Sequence, residues 1–97
     1  MTKAEQRRMD HLIQIGCIVC RITGLGITPP EIHHLLSGGR RLGHRFTIGL
    51  CTRHHREGSN TDQWVSRHPH KREFERRYGT EAELLEKTDE LIGGMSA

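Results

Sequence analysis

Apolar positions recur at helical spacing near the two ends of the chain, whereas the stretch between them is short-ranged, polar and punctuated by glycine. Near the N-terminus Met9, Leu12 and Ile13 fall on one helical face, and Thr2 with Glu5 ahead of them forms a capping box. Residues 3–15 are therefore expected to make an amphipathic helix that Gly16 ends. From Cys17 to Pro30 the run of Gly24, Gly26, Pro29 and Pro30 predicts a loop or knuckle without regular structure, because the residue before a proline is biased away from helix. Glu31–Leu36 and Phe46–Leu50 then read as two strands of a hairpin, joined by Ser37–Arg45 with its three glycines and three arginines. Thr52 is placed to cap a helix through about Glu57, before a turn at Gly58-Ser59-Asn60.

Farther along, Trp64, Phe74 and Tyr78 read as aromatic anchors that pack later helices onto this unit. Thr80 and Glu83 form a second capping box, and Leu84, Leu85, Leu91 and Ile92 carry a helix to Gly93, beyond which the chain is expected to fray. The expected order is an N-terminal helix over 3–15, a knuckle over 17–20, a strand–strand–helix core over about 31–57, and C-terminal helices over about 70–92. With no repeat or linker, residues 1–97 read as one α+β domain.

Composition adds a constraint. A chain of 97 residues buries only about two-thirds of its unfolded surface, and this one has two Phe, one Tyr and one Trp against eight His and three Cys. A metal is the expected staple. The odd cysteine count, with no secretory leader and no long apolar run, argues against a disulfide scaffold or a membrane protein and for a reducing cytoplasm. The formal charge of +3 suits a polyanionic partner, though many domains that never touch nucleic acid are as basic.

Cys17-x2-Cys20 and Cys51-x2-His54 supply two ligand pairs with the same two-residue gap. Such pairs let two tight turns grip one tetrahedral ion, and Cys3His sets of this kind are structural zinc sites. The competing readings are small buried hydrophobes and a redox Cys-x2-Cys, which would want a thioredoxin-like βαβ context absent here. With His54 assigned to zinc, adjacent His55 faces elsewhere, about 100° around the helix. The doublet His33-His34 lies on a strand, where successive side chains point to opposite faces, so one can bind metal while the other acts as base. A divalent ion and a near-neutral base are the parts that phosphodiester hydrolysis needs. Partly exposed or structural histidines are the alternative reading.

The set Cys17-x2-Cys20, Glu31-Ile32-His33-His34-Leu35 and Leu50-Cys51-x2-His54-His55 resembles the HNH, or ββα-metal, endonucleases of treble-clef type, and within them the phage recombination-enhancement (Ref) nucleases. His68 followed by Phe74-Glu75-Arg76-Arg77-Tyr78-Gly79 extends the likeness over most of the chain from Cys17. The resemblance implies His34 as general base and His33 and His55 as ligands of a catalytic Mg2+ or other divalent ion. It places His68 as a further ligand or phosphate contact, and DNA as the substrate in a bacterial host of a phage.

Two departures stand out. Phe46 occupies the place of the family's middle Asn, which braces the hairpin loop, leaving His44 as a candidate substitute. Only a short helix precedes the knuckle where Ref-type proteins can carry a long basic extension, which argues against dependence on a RecA-type recombinase filament. Arg40, Arg41, Arg45, Arg53 and Arg56 are expected to hold DNA by its phosphates, with weak sequence preference; Lys71, Arg72, Arg76 and Arg77 read equally well as a solvated face. The missing Asn also leaves room for a zinc-stabilised binding module without catalysis.

Overall fold

The computed structural model describes residues 1–95 and is α+β. Helix α1 spans Lys3–Ile15. Its N-terminus carries both arms of the expected capping box: Thr2 Oγ1 accepts from Glu5 N at 3.1 Å, and Glu5 Oε1 accepts from Thr2 N at 2.8 Å. At Gly16 the backbone turns to φ +76° and donates to the Leu12 carbonyl, which ends the helix. Leu12 and Ile15 form its buried face, while Ile13 is largely exposed.

The expected loop after Gly16 contains a helix. Ile18–Ile22 forms α2, capped by the Cys17 sulfur, which accepts from Cys20 N at 3.4 Å. A five-residue helix gives no periodic signal in sequence; here its buried Ile18 and Val19 and its N-cap thiol define it. The hairpin strands are β1 (Glu31–His34) and, later in the chain, the antiparallel strand Thr47–Leu50. Between them the basic loop folds into its own ribbon, β2 (Leu36–Ser37) against β3 (Arg40–Arg41), so Thr47–Leu50 is β4. The long strand predicted to Leu36 thus breaks at Leu35, whose N–H donates to Phe46 and whose carbonyl accepts from Leu42.

Register pairs Glu31 with Leu50, Ile32 with Gly49, His33 with Ile48 and His34 with Thr47. One face of the sheet therefore carries Glu31 and His33, and the other carries Ile32 and His34. Helix α3 is a single turn, Thr52–His55, shorter than expected, and Cys51 rather than Thr52 is its N-cap. Helix α4 covers Lys71–Tyr78 and α5 covers Glu81–Met95. The second capping box is present, with Thr80 and Glu83 exchanging bonds of 3.1 and 3.2 Å. The last helix runs on through Gly93 and Gly94, so of the end expected to fray only residues 96–97 remain, outside the described residues.

The core gathers Cys17, Ile18, Val19, Cys20, Ile48, Leu50, Val65, Phe74 and Leu84. Two ties close it. Arg8 donates to the Thr47 carbonyl (2.6 Å), the Thr47 hydroxyl (3.1 Å) and Asp89 (2.7 Å), joining α1, β4 and α5. At Gly49 the strand passes so close to the α1–α2 turn that a Cβ would lie 2.8 Å from both the Gly16 carbonyl oxygen and the Pro30 side chain. Gly49→Ala is expected to destabilise by about 1–3 kcal/mol through overpacking, whereas Gly94→Ala, on open helix surface, should be neutral or stabilising by up to about 1 kcal/mol. Thermal denaturation of the two variants beside the parent checks the contrast.

Two candidate metal centres

The four residues of the expected zinc set meet inside the core, Cys17 and Cys20 from the start of α2, Cys51 and His54 from the start of α3. His54 Nδ1 lies 3.5 Å from Cys17 Sγ, 3.5 Å from Cys20 Sγ and 3.2 Å from Cys51 Sγ, and the Cys20 and Cys51 sulfurs are 3.8 Å apart. A tetrahedral zinc ion would hold two sulfurs about 3.8 Å apart and a sulfur and nitrogen about 3.6 Å apart. These four separations match edges of such a tetrahedron with the donors at its corners, and the site is able to bind a metal such as zinc. Contact with Cys17 draws the Cys51 thiol down to about 3. Contact with Cys51, then burial, pushes Cys17 up, and burial pushes Cys20 up. Full deprotonation of all three needs a cation between them. Trp64 and Tyr78 wall the site, their ring centroids 4.9 and 5.2 Å from that of His54, and Phe74 packs behind Tyr78.

The second centre is built around the end of α3. A one-turn helix leaves its carbonyls without helical partners, and here the segment 66–68 supplies them in order: Ser66 Oγ donates to the Arg53 carbonyl (2.5 Å), Arg67 N to His54 (2.8 Å) and His68 N to His55 (2.9 Å). That cap sets His68 beside His55, with ring centroids 5.4 Å apart. On the facing strand, His33 points to the same place, its Nδ1 3.3 Å from His55 Nε2. One imidazole nitrogen from each of His33, His55 and His68 lies within 4.8 Å of the other two. The set fits a divalent ion with open coordination positions, as three nitrogen donors suit borderline metals.

Carboxylates stand behind two of these rings. Glu31 Oε1 is 2.8 Å from His55 Nδ1, and Glu81 Oε1 is 3.0 Å from His33 Nε2. Each carboxylate is also gripped by an arginine, Glu31 by Arg56 (2.6 Å) and Glu81 by Arg67 (2.5 Å). Bonds from Arg56, then from His55, hold the Glu31 carboxyl down to about 2. Burial pushes Glu81 up, but bonds to His33 and Arg67 outweigh it and leave the carboxyl below its ordinary range.

His34 leaves the opposite face of β1, and its Nε2 lies 3.2 Å from His44 Nδ1. The loop bearing His44 is held from below, since the Thr47 hydroxyl donates to the His44 carbonyl at 2.8 Å. A cleft of about 210 Å3 joins the two faces at the strand edge, lined by His33, His34, His55 and His68 with Leu36 and Arg41 among its walls. Burial is the leading influence that lowers His34, followed by Arg41 and His44. Burial also leads in lowering His33, where Glu81 opposes it, and His68, where Arg67 and His55 add to it. These directions favour neutral imidazole, the form that binds a metal or accepts a proton.

Of the arginines expected around the site, Arg41 lines the cleft, Arg40 and Arg45 lie exposed on the hairpin loop, and Arg56 is committed to Glu31. Arg53 lies over the Trp64 ring at 4.6 Å. On α4, Lys71 pairs with Glu75, and Arg76 and Arg77 pair with Glu73. Sequence reasoning passed over Glu31, Glu81 and Arg67. Glu31 had a signal, since it stands two residues before His33 on the same strand face; Glu81 and Arg67 had none.

One set of three cysteines and a histidine and one set of three histidines, each able to hold a metal ion, sit on a small α+β frame. The chain belongs to the family described as recombination enhancement, RecA-dependent nuclease, whose model matches residues 1–93. The match takes in α1 and so extends the likeness drawn from Cys17 onward. Nuclease activity in recombination, on a nucleic-acid substrate, is what that membership indicates. No individual curated protein matches the chain. Among the described residues no helix is long and apolar enough to cross a membrane.

A structural zinc site contributes on the order of 10 kcal/mol of apparent binding free energy, comparable with the whole stability of a small domain. Purified protein is expected to hold one tightly bound zinc, and a strong chelator or Cys20→Ser should abolish cooperative unfolding. Elemental analysis and near-ultraviolet circular dichroism check this; an unchanged melt after zinc removal would exclude the role.

Proposed function

We propose that the protein is an HNH-type endonuclease of ββα-metal architecture that hydrolyses DNA phosphodiester bonds, with zinc on Cys17, Cys20, Cys51 and His54 serving structure alone. The observation that carries the reading is the convergence of His33, His55 and His68 with His34 in one cleft beside Arg41. In this reading His33, His55 and His68 hold the catalytic ion, Mg2+ or another divalent metal. When bound, that ion supplies a Lewis acid for the scissile phosphate and the leaving oxygen.

The chain's own residues do the rest. His34, neutral because burial and Arg41 disfavour its charged form, takes the proton of the attacking water as general base. His44 contacts its Nε2 and leaves Nδ1 for that water. Arg41 offers its planar fork to a phosphate oxygen, and Arg40 and Arg45 extend the positive surface along the loop. The brace that the family draws from a middle Asn falls here to Thr47, whose hydroxyl holds the His44 carbonyl. Phosphate contacts position a duplex without reading it, so sequence preference is weak and binding depends strongly on salt.

The family's RecA dependence makes a recombinase filament an arm of the test. Supercoiled plasmid and single strands are incubated with the zinc-loaded protein and Mg2+ or Mn2+, with and without a RecA-type filament. The parent is expected to cut, and folded, zinc-bound His34→Ala to lose roughly 10²- to 10⁴-fold in rate. Cleavage by His34→Ala at the parental rate would remove His34 as the base. Failure of the parent under every condition would leave a zinc-stabilised nucleic-acid- or protein-binding module.

A further inference from the structure

We infer that Glu81, the first residue of α5, is the positioning residue for His33: it accepts the Nε2–H of that ring and so presents the unprotonated Nδ1 to the metal. This rests on the reading of His33, His55 and His68 as a metal site. His33 Nδ1 is the nitrogen that faces the site, 3.3 Å from His55 Nε2. Its Nε2 is 3.0 Å from Glu81 Oε1. A neutral imidazole carries one proton, so an acceptor fixed at Nε2 selects the tautomer with a lone pair at Nδ1.

The arrangement is built rather than incidental. His33 is 5% exposed and Arg67 6%, so neither ring nor guanidinium reorients freely. Arg67 donates both Nε and Nη2 to the same Oε1 that meets His33, at 3.0 and 2.5 Å. The arginine keeps the carboxylate charged and in place. Arg67 is itself anchored by its N–H to the His54 carbonyl, next to the ligand His55. Glu31 repeats the pattern on His55, with Arg56 as its second partner. Carboxylates behind ligating histidines raise ligand basicity and fix ring orientation. The C-terminal helix, through its first residue, thereby becomes part of the metal centre.

The test titrates Ni2+ into zinc-loaded parent, Glu81→Gln and Glu83→Gln by calorimetry, with near-ultraviolet dichroism to confirm folding. Gln keeps the shape of Glu81 and removes its charge, and Glu83 serves the same helix turn only as a cap. Glu81→Gln is expected to bind Ni2+ about ten- to a hundred-fold more weakly than the parent, with Glu83→Gln unchanged. Long-range ¹H–¹⁵N correlation spectra of the zinc-loaded parent, before Ni2+, should show His33 protonated at Nε2. Equal Ni2+ affinity in folded Glu81→Gln, or His33 protonated at Nδ1, overturns the inference and leaves the metal site standing. A parent that takes up no ion beyond zinc overturns the metal site as well. If Glu81→Gln does not fold, the parental tautomer decides.

Discussion

Three sulfurs and one imidazole, drawn from two short helices, meet at separations that match the edges of a zinc tetrahedron, and the remainder of the molecule is arranged around that meeting. Neither α2 nor α3 is long enough to persist alone, since a helix of one turn has scarcely formed its first hydrogen bonds. Each is held by its place in the cluster: the Cys17 sulfur caps α2, Cys51 stands at the start of α3 with its sulfur 3.2 Å from His54 Nδ1, and the aromatic wall of Trp64 and Tyr78 closes over His54. Burying thiolates without a cation is unfavourable, so a metal bound at this set would couple its binding to folding.

The second centre inherits its geometry from the first. His55 follows His54 directly, so a ring turned toward the three sulfurs at one position sends its neighbour to the facing side of the helix. The capping of the α3 carbonyls by residues 66–68 then brings His68 alongside, and pairing of β1 with β4 aims His33 at the same point. A single-turn helix, with Cys51 at one end and backbone donors at the other, thus carries residues of both candidate centres. Rigid support of this kind is what a site needs if its ligands are to hold their places when one coordination position is open.

Charge is distributed with the same economy. Glu31 and Glu81 each sit between a histidine of the second centre and an arginine. The two arginines so engaged, Arg56 and Arg67, are structural partners of the centre. The exposed arginines of the hairpin loop remain on the outside, with Arg41 at the cleft. The basic character of the chain therefore divides into an inner part that holds the carboxylates behind the histidines and an outer part exposed on the hairpin loop and at the cleft.

The residues themselves determined whatever depends on neighbours a few positions apart. Both capping boxes, the stop at Gly16, the paired gaps in Cys17-x2-Cys20 and Cys51-x2-His54, and the opposition of His33 to His34 all follow from helix and strand periodicity, and all four appear in the structure. Tertiary structure decided what depends on distant partners or on burial. Helix α2 gives too short a pattern to read. Thr52 proved to follow the cap rather than form it, and α5 ran through Gly93 because a glycine on an open helical surface costs only about 1 kcal/mol against the rest of the helix. The bond from His33 to Glu81 joins residues 48 positions apart, a pairing that no local rule anticipates. It exists because the C-terminal helix closes over the sheet, and only the packed core determines where that helix begins.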